Sequence, residues 1–305
     1  MTNSLDEIIS ILSGKLVGFP EALENERVGF DSWSCLPPAR YKEKDVLDLG
    51  CGIGAAVSLF IQRGANLVWG IDPVLTEEQI NILSILPKSR FTSGLLSREP
   101  FGDQRFDIVY ARFATEHVID LSGTFGTVFD LLKPGGRFVA LHGNYYSPMG
   151  AHDFPFMGLV SPGEYTCFSK AVPCWKSPKK CEVSTEFRKE LEQKYDWSVS
   201  TWTLTPHDCS QCAYFRRAQL WGHLLHQDKF NQDYQGAFYK TNPDGSLNKV
   251  TPFQLKQFMI EAGFKVTTWE EVIITNHPPR ELLERLSERD LRTLNILFAA
   301  DKPAG

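Results

Sequence analysis

The chain opens with Leu5, Ile8, Ile9 and Leu12, apolar positions three and four apart. That spacing predicts a short amphipathic helix over 4–13, with Asn3 or Ser4 as its N-cap. Residues 18–41 lose the period. They are rich in glycine, proline and aromatic side chains and read as irregular. From Asp45 the pattern becomes one of short apolar runs separated by helical stretches. VLDLG (46–50), LVWGID (67–72), FDIVYAR (106–112) and RFVALHG (137–143) read as buried strands. Helical readings fall between the glycine-rich stretch after Leu49 and Gly64, from Thr76 to Leu86 with Pro87 as the stop, and around 121–132. Lys133-Pro134-Gly135-Gly136 is a turn. Strands alternating with helices predict parallel βαβ units.

After Gly143 the regularity stops. Residues 144–245 carry Tyr145, Tyr146, Phe154, Phe156, Tyr165, Phe168, Trp175, Trp197, Trp202 and Trp221 with several prolines and no strict period. The stretch is too long and too apolar for a loop, and it reads as an insertion that packs over the sheet as a lid. Order returns at TPFQLKQFMIEAGF, where Thr251 caps a helix, Pro252 takes its first position and Gly263 ends it. FKVTTWEEVII (264–274) reads as a strand, RELLERL (280–286) as a short helix and LRTLNILFAADKP (291–303) as a last apolar strand. The predicted organisation is an N-terminal helical cap (1–40), a core (41–143), the lid (144–245) and a closing part of the same core (246–305).

Composition narrows the function. Apolar residues make up 42% of 305 residues and the net charge is −5, so a basic surface that tracks nucleic acid is not expected. No run is long enough to cross a bilayer, and the N-terminus lacks the features of a signal peptide. Seven cysteines read as reduced thiols in a cytoplasm. Oligomeric state has no signal in the sequence.

The candidate chemistry begins at Gly50-Cys51-Gly52-Ile53-Gly54, between a strand and a helix. Glycines there permit a tight turn and a close ligand, and the helix N-terminus supplies free N–H groups. Asp72, eighteen residues after Gly54, ends the second strand, where a carboxylate can accept ribose hydroxyls. Gly50, Gly52 and Ala55 alone also fit a loose dinucleotide fingerprint.

VLDLGCGIG with GIDP, FDIVYARFATEHVID and LLKPGGRFVAL, in this order, resemble the class I S-adenosylmethionine-dependent methyltransferases, most closely their small-molecule branch with an EHV segment after the fourth strand. The resemblance covers about residues 45–143 and more loosely 251–303. It implies an α/β, Rossmann-like, mostly parallel seven-stranded sheet with helices on both faces and the lid after the fifth strand. The implied cofactor is S-adenosylmethionine, leaving as S-adenosylhomocysteine. The implied function is methyl transfer to an O, N or C atom of a small-molecule acceptor, for which the aromatic lid suggests a planar or apolar shape. Carried over by residue, Gly50, Cys51 and Gly52 face the methionine part, and Asp48 lies beneath them, holding the loop or the ammonium group. Asp72 binds the ribose, with Pro73 beside the adenine. Ser93-Gly94-Leu95 stands where such enzymes often carry an acid for the adenine amino group. That acid is missing here, so Gly94 and Leu95 offer only backbone and an apolar contact. Arg112 contacts cofactor or substrate, or else makes a surface ion pair. His117, of the Glu116-His117 pair, has a structural or cofactor-side role.

A general base is useful where the acceptor is a hydroxyl or ammonium, and histidine is the natural candidate. His142 ends the fifth strand, facing the crevice at the strands' carboxyl ends. Tyr146 and His152 follow it, and the alternative for His142 is a hydrogen-bonded wall. His223 and His226 belong to an interface or core face, and no metal site is expected. Cys209 and Cys212, with His207, Cys174 and Cys181 nearby, leave structural zinc or a thiol-bound arsenite as minor alternatives. Cofactor cyclisation, aminopropyl transfer and an inactive cofactor-binding module also remain compatible with the same loop.

Overall fold

The computed structural model describes residues 4–33, 35–147, 221, 224, 247–275 and 277–305. The lid reading, with His152, His223, His226 and the cysteines of its Cys-x-x-Cys, lies outside the described residues, apart from residues 144–147, Trp221 and Leu224.

Helices α1 (Leu5–Lys15), α2 (Phe19–Ser32) and α3 (Pro38–Tyr41) precede the sheet. Ser4 caps α1 through a capping box with Glu7. The irregular reading of 18–41 is corrected by α2. Phe19, Leu23 and Phe30 recur at helical spacing and are buried. Gly18 lies just outside the helix, and Pro20 occupies its first turn, where no N–H is needed. Both residues read as breakers in the sequence, and both mark a helix start.

The core runs β1 (Asp45–Leu49), α4 (Ala55–Gln62), β2 (Leu67–Asp72), α5 (Glu77–Leu83), β3 (Ser89–Ser93), β4 (Phe106–Arg112), a 3₁₀ turn at Thr115–His117, α6 (Leu121–Leu131) and β5 (Leu132–Gly143). It closes with α7 (Pro252–Glu261), β6 (Lys265–Ile273), α8 (Arg280–Leu283), α9 (Glu288–Arg292) and β7 (Thr293–Asp301). The sheet order is β3-β2-β1-β4-β5-β7-β6. β3 to β5 pair in parallel, and β7 runs antiparallel to both β5 and β6. This is the expected seven-stranded Rossmann-like sheet. Two elements have no sequence reading of their own. β3 is a polar edge strand whose side chains are only partly buried, so it lacks the apolar run that announces a central strand. α9 is a short helix capped by Ser287, and it takes Leu291 and Arg292 from the start of the strand read over 291–303.

Alternation along the strands divides the core. Val46, Ile108 and Tyr110 face α1, α2 and α4; Leu47, Leu49, Val109 and Ala111 face α6 and α7. The chain leaves β1 towards β2 and β3, then returns past it to β4. The sheet therefore changes direction between β1 and β4, and a crevice opens there at the strands' carboxyl ends.

Candidate active site

The glycine turn occupies that crevice. Gly50, Gly52 and Gly54 have φ of 77°, 49° and 79°, a left-handed conformation that L side chains adopt at a cost. A Cβ on Gly50 would collide with Ala114, whereas one on Gly52 would meet open space. The Gly52 position is thus shaped for a close approach from outside the protein. Asp72, 8% exposed, holds the turn. Its Oδ2 accepts the Gly52 N–H at 2.9 Å and its Oδ1 the Val74 N–H at 2.9 Å. A carboxylate has about four lone-pair sites, so Asp72 keeps acceptor capacity after both bonds. Cys51 is buried and packs under the turn, where Gly70 leaves room for its Sγ.

Beneath the turn lies a polar floor on one face of the sheet. Asp48 on β1 is in register with Tyr110 on β4, and Arg112 shares their face two residues on. Glu26 reaches in from α2. It accepts the Tyr110 hydroxyl at 2.7 Å and Arg112 Nη1 at 2.9 Å. Arg112 is therefore in an ion pair, as one of its two readings has it, but a largely buried one, with 21% and 15% side-chain exposure. Two polar atoms of this floor are buried without a hydrogen-bond partner, Asp48 Oδ2 and Arg112 Nε. Burial, then the charges of Glu26 and Asp72, push the Asp48 carboxyl well above its usual range.

Past the ends of β2 and β3, Gly94 (φ 146°) would give an added Cβ open space, and its N–H donates to Asp72 O at 3.2 Å. Val74 and Leu95 are 57% and 67% exposed, apolar groups just past the ends of two paired strands. Pro73 is exposed beside them.

A second polar group sits at the ends of β4 and β5. Thr115, Glu116 and His142 are fully buried. Thr115 Oγ1 and His142 Nδ1 share a hydrogen bond of 2.9 Å, a contact that suits either reading of His142, as a base or as part of the wall. Burial pushes Glu116 up to about 8 against the pull of the Glu116 and Gly143 backbone N–H groups. Asn248 ties the turn down, donating from Nδ2 to Thr115 O at 2.8 Å and Val118 O at 3.0 Å, and from its backbone to Glu116 O at 2.7 Å. His117 belongs to the same turn, its N–H bonded to Ala114 O. Tyr146 stands apart, its hydroxyl donating to Lys249 O at 3.2 Å.

Glu26 and Asn248 are absent from the sequence reading. Only Glu26 leaves a trace there, as an acid between Leu23 and Phe30 on the buried stripe of α2. Thr115 and Glu116 enter it only as part of a motif. Among the described residues no cluster of metal-ligating side chains occurs and no helix is long and apolar enough to cross a membrane.

The sheet order, the positive-φ glycine turn and the β2 acid form a Rossmann-like core of the kind that the resemblance to class I methyltransferases implies. Residues 28–165 match the family described as a methyltransferase domain. It is 37% identical over 98 residues to the sterol 24-C-methyltransferase erg6 of Schizosaccharomyces pombe, a stretch covering 30% of this chain and 26% of that protein. It is 36% identical over 104 residues to an uncharacterized methyltransferase of Synechocystis, covering 32% and 47%. The chain thus spans a quarter to a half of the length of these relatives. A solved S-adenosylmethionine-dependent methyltransferase of Mesorhizobium loti aligns over 87% of this chain and 93% of its own at 19% identity, with a TM-score of 0.46.

The residues present fit the cofactor. Its amino-acid end carries an ammonium and a carboxylate, and the floor offers a buried unpartnered carboxyl oxygen and a buried unpartnered guanidinium N–H. Its adenine is flat and apolar on its faces, and Val74 and Leu95 are exposed apolar groups past the strand ends.

Proposed function

We propose that this chain transfers the methyl group of S-adenosylmethionine to a small-molecule acceptor. The observation that carries this reading is the unpartnered, buried Asp48 Oδ2 beneath three positive-φ glycines at the sheet's change of direction. A lone buried carboxyl oxygen costs stability, and the ammonium of a bound amino-acid end answers it. In this reading Asp48 and Arg112 hold the amino-acid end, Gly50 and Gly52 let it approach the backbone, and Cys51 supports the turn. Asp72 takes the ribose hydroxyls with its remaining lone pairs, and Pro73, Gly94 and Leu95 flank the adenine. The cofactor, when bound, supplies an activated methyl on a sulfonium. The protein's task is then to align the acceptor and exclude water, and such positioning is worth on the order of 7–11 kcal/mol.

Thr115, Glu116 and His142 form the acceptor-side wall, with His117 on the same turn. His142 serves as the base where the acceptor must lose a proton, with Thr115 fixing its ring. In this reading Tyr146 lies on the acceptor's approach, and His152 is a candidate from the sequence alone. The relatives named for sterol methylation favour an apolar acceptor, consistent with the aromatic content of residues 144–245. A cytoplasmic location and the absence of a nucleic-acid partner belong to this reading, supported by the acidic balance.

Thermal unfolding with S-adenosylmethionine, S-adenosylhomocysteine and NAD tests it. At a hundred times its dissociation constant a ligand stabilises by about 2.7 kcal/mol. Stabilisation by the two adenosyl compounds and none by NAD is expected. Stabilisation by NAD alone would replace this reading with a dinucleotide site. Release of methylthioadenosine instead of S-adenosylhomocysteine on turnover would replace methyl transfer with another use of the cofactor.

A further inference from the structure

Glu26 lies outside the sheet and the glycine turn, on a helix that precedes both. Its carboxylate nevertheless enters the floor of the site, bonded to the Tyr110 hydroxyl at 2.7 Å and to Arg112 Nη1 at 2.9 Å. Close packing permits this: Gly29, one turn along α2, leaves so little room that an added Cβ would stand 3.4 Å from Arg112 Nε.

Glu26 and Arg112 offset each other's charge, Arg112 keeping Nε as a spare donor, and two further carboxyl groups, Asp48 and Asp72, face the same turn, so that each one ionised there adds negative charge with no cation to meet it. Asp48 has no partner for Oδ2 and is 2% exposed. The groups packed against it agree in sign: Asp48, Cys51 and Tyr110 are all pushed up, first by burial and then by charges among Glu26, Asp48 and Asp72, with Arg112 opposing only at Tyr110. A site built this way is short of positive charge. The sulfonium cofactor carries one net positive charge and its thioether product none.

Resting on the cofactor assignment above, we propose that Glu26 is a specificity-determining residue of this site: its negative charge, delivered through the Arg112 pair, makes the floor prefer the cationic sulfonium cofactor over the neutral product. Discharge of the sulfonium then weakens binding at the moment the product has to leave.

Isothermal titration of the wild type, Glu26→Gln and Tyr110→Phe with S-adenosylmethionine and with S-adenosylhomocysteine tests this without turnover. In Glu26→Gln the new amide can keep both contacts, its oxygen accepting from Arg112 and its NH₂ donating to the Tyr110 hydroxyl, so that only the charge is lost. Tyr110→Phe keeps the charge and loses one contact. The expected result is a fall of roughly tenfold in the cofactor-to-product affinity ratio in Glu26→Gln, the scale a unit charge reaches over several ångströms at an effective dielectric of about 20, with the ratio retained in Tyr110→Phe. An unchanged ratio in Glu26→Gln, or equal weakening of both ligands, overturns the proposal. So does an equal fall of the ratio in Tyr110→Phe, which would make the effect one of positioning. A wild type that binds neither compound overturns the cofactor reading itself.

Discussion

Asp72 Oδ2 accepts the backbone N–H of Gly52 at 2.9 Å across a separation of twenty residues. The acid at the end of β2 is thus a strut of the glycine turn as well as a candidate ligand for ribose. Its other oxygen fixes Val74, so one side chain sets the geometry of both loops that bound the crevice.

Replacing Asp72 with Ala removes both acceptors and leaves two N–H groups to find water. Each buried group so stranded costs about 1–3 kcal/mol. The expected result is a folded protein with a lower melting temperature and no measurable affinity for S-adenosylmethionine, read by calorimetry and titration. Asp72→Asn keeps one acceptor oxygen and falls between. Full cofactor affinity in Asp72→Ala would remove this residue from the site.

The parts of this molecule that are legible in its sequence are those where local pattern and tertiary role coincide. β1, β2, β4 and the part of β5 from Phe138 are apolar runs because they are buried on both faces. Thr251-Pro252 reads as a helix start because the capping box with Gln254 is local. Gly50, Gly52 and Asp72 stand out because only certain residues serve at those positions. The Glu26 contact with Arg112 joins residues 86 positions apart, and Asn248 fixes the Thr115 turn from 133 positions away. No window of sequence holds both partners of either contact. Glu26 looks like one more solvated acid on a segment read as irregular, and Asn248 like a loop residue before a cap.

Glu116 provides a test on stability alone. Its folded-state value of about 8 lies far above the ordinary carboxylate value near 4.3. A raised acid favours the folded state fully below the unfolded value and loses that contribution as pH rises to the folded one. Stability of the wild type should therefore fall between about pH 4.5 and 8 with a component of about 1.4 kcal/mol per pH unit, the slope of one proton. Glu116→Gln should lack this component and be the more stable protein at pH 8. Urea titrations at several pH values measure it, and parallel profiles for the two proteins would show that Glu116 ionises normally.

His142 is held by Thr115 at 2.9 Å, so its two readings separate by mutation. As a base it should give, on replacement by Ala, a fall in kcat with the affinity for S-adenosylmethionine nearly kept. General-base assistance is worth typically about 10²–10⁴-fold. Thr115→Val removes the partner of Nδ1 and should lower kcat less while shifting the pH profile. Unaltered turnover in His142→Ala would leave it as part of the wall.

Asp48 carries the sharpest expectation because its burial and its task oppose each other. Its folded-state carboxyl is raised by burial and by Glu26 and Asp72, so ionising it costs the free protein stability as pH climbs above the ordinary Asp value near 3.9. A bound ammonium reverses the preference and draws the proton off. Binding of S-adenosylmethionine should therefore release protons and strengthen as pH rises towards the raised value. Titration in buffers of different ionisation enthalpy detects that release directly. Asp48→Asn should abolish it, weaken the cofactor, and make the free protein more stable than the wild type at neutral pH, since an amide folds with neither a charge to bury nor a proton to take up. A variant that is destabilised when free, yet binds the cofactor with the same proton release, would mean that Asp48 holds the turn together and takes no part in binding.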